Sequence, residues 1–146
     1  MTGETDLSAL LAAMEPALTD EVWVFATLPP GATIPHGVTP LMTYGEAEGL
    51  TLIVRQDEAQ LAGLAHVFPS RRITLNIHSS LEAVGFLAAL LPVLAAAGIG
   101  VNPVSAYFHD HLFVPADRAD EALALLRGIA ARTRSARGLH SPSVQG

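Results

Sequence analysis

Residues 71–85 read RRITLNIHSSLEAVG, and in this stretch a strand pattern passes directly into the pattern of a helix start. Residues 73–77 alternate apolar and polar side chains, which is typical of a half-buried strand. Ser79 is followed three residues later by Glu82, the signature of a capping box. We therefore expect a helix to begin near Leu81. The free N–H groups at its start could donate hydrogen bonds to an anion.

The residues that follow continue the same unit. Residues 101–107 and 111–114 are short apolar runs on either side of the turn at residues 108–110. Asp117 has the character of an N-cap, and the helix after it has an apolar face made of Ala119, Ala122, Leu123, Leu126, Ile129 and Ala130. The order strand, helix, strand, strand, helix predicts a ferredoxin-like unit.

The first half of the chain has a comparable content of elements. Its patterns predict helices over 7–14 and 57–63 and strands over 21–28, 50–54 and 65–68, with a proline- and glycine-rich loop over 31–40. We expect an N-terminal unit at 1–69, a C-terminal unit at 70–132 and a flexible tail at 133–146, because the tail has arginines, glycine and proline without apolar periodicity.

Composition excludes several classes of function. The 146 residues include no cysteine and no lysine, so thiolate chemistry, a lysine Schiff base and a P-loop lysine are all excluded. The net charge of −6 and the lack of a basic run before the tail argue against nucleic acid. The N-terminus does not resemble a signal peptide, and the longest apolar run is too short to span a bilayer. We expect a cytoplasmic protein without a membrane partner.

The strand-to-helix junction is the first candidate site. Ser79, Ser80 and the N–H groups of residues 81–84 could hold a carboxylate or a phosphate, although Ser79 could equally be only a helix cap. Gly85 falls inside the expected helix, where glycine costs about 1 kcal/mol relative to alanine. Close approach of a ligand or of another backbone would explain this glycine.

Three other groups carry chemistry. His109 and His111 could ligate a metal, or they could belong to a polar hairpin in which Asp110 bonds its own backbone. One side of the strand at 101–107 is polar and presents Asn102, Ser105 and Tyr107. Glu46 and Glu48 could serve as acid and base or neutralise a cationic ligand, or they could lie in a solvated loop.

Several strings of the sequence resemble the small bacterial proteins with two ACT domains in tandem, relatives of the ACT units of aspartate kinases and of the CASTOR-type arginine sensors. The strings are HSSLEAVG at 78–85, the residues around Asn102, HDHLFVP at 109–115 and YGEAEGLTL at 44–52. The resemblance covers about residues 4–131. It implies an α+β fold of two ferredoxin-like βαββαβ units, with antiparallel sheets and helices on one face.

The resemblance also implies regulatory binding of a small molecule, usually an amino acid, between paired ACT units. It places the ligand carboxylate against residues 79–84, with polar contacts around Asn102. An acidic group, Glu48 or Asp110, is expected to take the amino group, because both charges of a zwitterion need partners when it leaves water. The resulting expected ligand-binding set is Ser79, Ser80, Leu81, Val84, Gly85, Asn102, Asp110 and Glu48.

The leading interpretation is therefore a non-catalytic, amino-acid-binding regulatory protein without cofactor or resident metal, which forms a homodimer or a larger assembly. An interaction domain with a vestigial pocket and a metal-dependent enzyme that uses His109 and His111 remain the alternatives. The expected core residues are Leu75, Ile77, Leu87, Leu91, Leu112, Val114, Leu123 and Leu126.

Overall fold

The computed structural model describes residues 6–138, which form one antiparallel sheet with helices on one of its faces. The elements in chain order are α1 (Leu7–Ala13), β1 (Glu15–Leu18), β2 (Trp23–Leu28), β3 (Met42–Glu46), β4 (Gly49–Arg55), α2 (Gln56–Leu61), β5 (His66–Asn76), α3 (Phe86–Ala96), β6 (Asn102–Ser105), β7 (Asp110–Pro115), a 3-10 turn (Ala116–Arg118) and α4 (Ala119–Ala136). None of these helices is long and apolar enough to cross a membrane.

The strand order shows two ferredoxin-like units that share one strand. The sheet runs β3-β4-β2-β5-β7-β6, and β1 pairs with the second half of β5. The first unit has the order β3-β4-β2-β5 and the second has β6-β7-β5-β1, each being the order of a βαββαβ fold. The predicted fold class is confirmed.

The N-terminal segment completes the second unit. Strand β1 pairs with residues 73–76 of β5, and helix α1 packs against α3 and α4. Leu10 and Met14 from this segment are buried in the same core as Ile73 and Leu90. A division at residue 69 stays a prediction, but β5 runs without interruption from His66 to Asn76 through that point.

Strand β5 contains a bulge where the sequence suggested two separate elements. The pairing of β2 with β5 shifts between Trp23 and Phe25, and Phe68 has a positive φ of 61°. A bulge relieves local pairing, which lets Pro69 sit inside a strand without removing a required hydrogen bond. The strand prediction at 65–68 and the one beginning at Ile73 thus describe parts of one strand.

Two cores lie on the helical face. The larger, between the strands of the second unit and α1, α3 and α4, contains all eight predicted core residues, four of them partly buried at its margin. The smaller is formed by β2, β4 and α2, and Ile34 and Val38 pack on it from the loop at 29–41. That loop occupies the place of the helix that a ferredoxin-like unit would have after its first strand.

Two strands and the end of the last helix differ from the sequence prediction. The strands β1 and β3 were not predicted, because β1 contains Pro16 and β3 is an exposed edge strand without an apolar face. Helix α4 continues to Ala136, past the residue at which the tail was predicted to begin. Thr133 Oγ1 donates to Ile129 O at 2.8 Å, and an Arg134 nitrogen donates to Ala12 O at 3.1 Å. Residues 139–146 of the expected tail lie outside the described residues.

Candidate functional site

The segment between β5 and α3 is a loop of tight turns, and the predicted capping box is wrong. The Ser80 hydroxyl accepts the N–H of Glu82 at 3.1 Å, and Ser80 O accepts the N–H of Ala83 at 3.0 Å. These bonds hold residues 80–83 in a local turn, which competes with helix formation. Helix α3 therefore begins at Phe86, five residues later than predicted.

Gly85 is the N-cap of α3 and has a left-handed backbone with φ 88°. A side chain other than glycine would be strained in this conformation, which explains the residue better than the predicted close approach of a ligand. The nearest atom to a Cβ built at this position is Leu7 Cδ2 at 3.6 Å, an ordinary van der Waals distance.

The start of α3 has no side-chain cap. Among the described residues no acceptor bonds the N–H groups of Phe86, Leu87 or Ala88, and the first helical bond of α3 is from Ala89 N to Gly85 O at 3.0 Å. The positive end of the helix dipole lies at the same place. The N–H donors predicted at residues 81–84 are thus provided by residues 86–88.

These donors line a cleft of about 200 Å³ in the C-terminal half of the chain. Its lining residues are Ser79, Ser80, Leu81, Ala83, Gly85, Phe86, Leu87, Ala88, Ser105, Ala106 and Asp110. All of them come from the β5–α3 loop, the start of α3 and the β6–β7 hairpin. On the sequence alone, the ligand site was expected between the two units. The cleft instead lies within the second unit.

Asp110 is the acidic group of this cleft, and two serines hold it in place. Its carboxylate accepts from Ser105 Oγ at 2.5 Å and from Ser79 Oγ at 3.5 Å, and only 9% of the residue is exposed. The side-chain rotation of a carboxylate bonded on both oxygens is restricted. The arrangement presents a fixed negative charge opposite the positive start of α3.

The structure brings five of the eight predicted site residues together. Ser79, Ser80, Leu81, Gly85 and Asp110 line the cleft. The other three lie elsewhere. Val84 is 83% exposed and is not among the residues that line the cleft, and Asn102 pairs with Phe113 at the exposed end of β6. Glu48 lies in the β3–β4 turn, at the opposite end of the strand order from β6.

Sequence reasoning missed the N–H donors of residues 86–88 and left Ser105 out of the site. Ser105 was recognisable as part of the polar side of its strand. The donors could not be placed, because no sequence signal separates a capping box from the local turn that Ser80 forms.

The histidines that the structure describes do not assemble a metal site. Within residues 6–138 there is no group of three or more histidine, cysteine, aspartate or glutamate side chains placed to hold a metal ion. His109 Nδ1 lies 3.3 Å from Ile77 O, and His111 Nδ1 lies 3.0 Å from Thr74 Oγ1. Burial and the nearby Arg72 cation lower the pKa of His111, which favours its neutral form.

Comparisons with known proteins agree with this architecture. Two family models, both described as ACT domain, match residues 2–71 and 67–128. No curated protein matches the chain. A protein of unknown function from Vibrio cholerae, described as a possible transport protein, is 40% identical, with a TM-score of 0.77 over 85% of this chain and 95% of that one.

More distant solved structures share the fold. A protein from Agrobacterium tumefaciens is 17% identical, with a TM-score of 0.68 over 80% of this chain and 89% of the other. The regulatory subunit of aspartate kinase from Thermus thermophilus, in its ligand-free form, is 14% identical, with a TM-score of 0.60 over 82% and 97%. Taken with the two domain matches, these results show that the chain belongs to the family of proteins with two ACT domains in tandem.

Proposed function

We propose that this protein is a non-catalytic regulator that binds a free amino acid in the cleft at the start of α3. One observation carries the proposal: three N–H groups that have no acceptor within residues 6–138 line the same small cleft as a carboxylate held by two serines. The ACT family supports a regulatory, ligand-binding role. The amino-acid specificity is our inference from the charges of the cleft.

The two charges of an amino acid match the two ends of this cleft. The ligand carboxylate would accept from the N–H groups of residues 86–88, where the helix dipole favours an anion. The ligand ammonium would donate to Asp110, whose geometry Ser105 and Ser79 maintain. A simple anion such as phosphate would meet the Asp110 carboxylate, so the cleft favours a zwitterion over an anion.

The ligand side chain would lie against the apolar part of the lining. Leu81 is 67% exposed and borders the cleft beside Phe86 and Leu87. A ligand that covers this exposed apolar group removes it from water. This burial contributes about 25 cal/mol to the free energy of binding for each Å² of apolar surface. Self-association of the chain, through the exposed edges of β3 and β6, belongs to the same proposal.

Calorimetric titration with each of the common amino acids tests the binding proposal. We expect heat from at least one of them, and Asp110→Asn should weaken it about 10- to 100-fold, because a hydrogen bond to a charged group contributes about 1.5–3 kcal/mol. Glu82→Gln is the matched control. It also removes one carboxylate charge, from the β5–α3 loop, but Glu82 is exposed and is not part of the cleft lining.

The rival interpretation is an interaction domain whose pocket is vestigial. Tyr107 and Phe108 favour it, because both are exposed and their rings pack together with centroids 4.8 Å apart at the tip of the β6–β7 hairpin. Absence of heat and of a thermal shift with every amino acid would reject amino-acid binding and leave this interpretation. Equal affinity in wild type and Asp110→Asn would place binding outside the α3 cleft.

A further inference from the structure

On the helix-free face of the sheet, side chains from strands of the two units form one hydrophobic cluster. Ile53 on β4 and Phe113 on β7 are almost completely buried although no helix covers them. Strand β4 belongs to the first unit and β7 to the second, with β2 and β5 between them in the strand order. Residues of these two strands nevertheless belong to one buried cluster, with Phe25 of β2 packed against it.

A second cleft, of about 210 Å³, lies where the two units meet on this face. We call it the inter-unit cleft. Its residues are Leu41, Met42 and Ile53 from the first unit, and Arg72, Val104, Ala106, His111 and Phe113 from the strands β5, β6 and β7 and the turn after β6. Most of this lining is apolar, and it contains one permanent charge, that of Arg72.

Arg72 makes no ion pair within residues 6–138, although its charge acts at longer range on the exposed Glu21, whose pKa is lowered mainly by hydrogen bonds and to a smaller extent by Arg72 and Arg55. The Arg72 Nε is buried without a hydrogen-bond partner, and no carboxylate of the described residues lies within ion-pair distance of the guanidinium. The Trp23 ring lies 5.8 Å from the Arg72 Cζ and offers a cation–π contact, but no acceptor atom. A buried donor without an acceptor lowers the stability of the fold.

The neighbouring Arg71 shows what a structural arginine does in this strand. Its Nε donates to Thr19 O at 3.1 Å, and its terminal nitrogens lie 3.4 Å from an Asp20 carboxylate oxygen and 4.0 Å from one of Asp120. Arg71 lies on the opposite face of β5, because successive side chains of a strand alternate. Arg72 has none of these partners and lines a cleft instead.

We propose that the inter-unit cleft binds a small monocarboxylate with an aliphatic chain, whose carboxylate pairs with Arg72. The apolar walls would contact the chain, and His111, bonded through Nδ1 to Thr74, would be beside the carboxylate. The volume corresponds to roughly seven water molecules at about 30 Å³ each, which suits a chain of five or six carbons. This site is distinct from the amino-acid cleft proposed above, although Ala106 lines both clefts.

The lining also distinguishes a simple carboxylate from an amino acid. No aspartate or glutamate lines the inter-unit cleft, so an ammonium group there would face the Arg72 cation without a compensating charge. The useful probe pair is 4-methylpentanoate and leucine, which differ only in the α-ammonium group. The alcohol 4-methylpentan-1-ol keeps the chain and removes the carboxylate.

The test is titration of each probe by calorimetry, with methyl NMR spectra of the full chain to locate the binding. We expect 4-methylpentanoate to bind at least tenfold more tightly than leucine or the alcohol at this site, and to shift the methyl resonances of Met42, Ile53 and Val104. Arg72→Met should weaken the binding of 4-methylpentanoate at least tenfold without lowering the melting temperature of the protein. Arg71→Gln, the matched control, should leave the affinity for 4-methylpentanoate unchanged.

A second variant fills the cleft without touching its charge. Val104→Phe should also weaken the binding of 4-methylpentanoate at least tenfold. It should leave the affinity for any free amino acid that binds in the α3 cleft unchanged. Equal affinity for the acid and the alcohol, or no resonance shift at these three residues at saturating probe, would overturn the proposal. Binding that Arg72→Met leaves intact would overturn it as well, even if the amino-acid cleft proves correct.

Discussion

The Phe25 ring of β2 meets the Phe113 ring of β7 edge-on, with centroids 5.8 Å apart and an interplanar angle of 89°. This contact joins the first unit to the second across the helix-free face of the sheet. Phe68, which the bulge in β5 places beside them, packs on Phe25 with a centroid distance of 5.9 Å. Edge-to-face pairs of this kind contribute about 0.5–1.5 kcal/mol beyond their buried area.

Replacing Phe113 with alanine should therefore destabilise the whole chain. We expect a loss of about 3–5 kcal/mol in the free energy of unfolding, because a buried phenylalanine leaves a cavity when it is truncated. Urea denaturation measures the loss. Phe108→Ala is the control, since Phe108 is 61% exposed and its loss should stay within about 0.5 kcal/mol. Similar losses in the two variants would show that the inter-unit contact is not part of the stable core.

Gly85→Ala should cost about 1–2 kcal/mol, which is the penalty for an L-residue in the left-handed conformation. The added methyl group meets only Leu7 at an ordinary distance, so strain and not a clash determines the result. Gly85→Asn should cost less, because asparagine tolerates this conformation. Gly100→Ala is the control, since its φ is not positive and no atom lies within 4 Å of the added carbon. Thermal unfolding of the three variants decides, and equal losses at positions 85 and 100 would contradict the argument.

A fragment of residues 70–132 should not fold by itself. It lacks β1, which pairs with β5, and it lacks the fully buried Leu10 and Met14 that fill the core between α3 and α4. Circular dichroism with urea denaturation should show a cooperative transition for residues 6–138 and none for the fragment. A cooperative transition of the fragment would instead support a division of the chain at residue 69.

The imidazole of His111 should titrate below the 6.5 that is usual for histidine, as measured by NMR. Burial is the main cause of the lowered pKa, followed by the charges of Arg72 and His109, while Asp110 acts in the opposite direction. Arg72→Met removes one of these charges and should therefore raise the pKa of His111.

The same shift has a consequence for stability. Because the pKa of His111 is lower in the folded state, the unfolded chain binds a proton there first as the pH falls below about 6.5. The free energy of unfolding is therefore full above about pH 6.5 and decreases as the pH falls from there through the lower pKa of the folded state. His111→Gln should reduce the fall in stability between pH 7 and pH 5. An unchanged profile would show that other groups determine the acid sensitivity.

Local patterns predicted most of the fold and part of the site. The alternation at residues 73–77 predicted a strand and the apolar face at 119–130 a helix, because burial on one side imposes a fixed spacing on apolar residues. The resemblance to ACT proteins and the position of Ser79 and Ser80 led to the cleft. Asp110 was included because a zwitterion requires an acidic partner, and it lies in the lining of that cleft.

The tertiary structure determined what depends on contacts distant in sequence. The Ser80 hydroxyl accepts a hydrogen bond from the N–H of Glu82 in a local turn, so the helix begins at Phe86 and not near Leu81. Strand β3 lies at the edge of the sheet and is exposed, so it has no apolar pattern. The pairing of β1 with β5, and the burial of Phe113 against Phe25, join residues about 60 to 90 positions apart. The neighbouring sequence does not predict such pairs. Which residue pairs with a strand edge or covers an apolar ring depends on the tertiary fold of the whole chain.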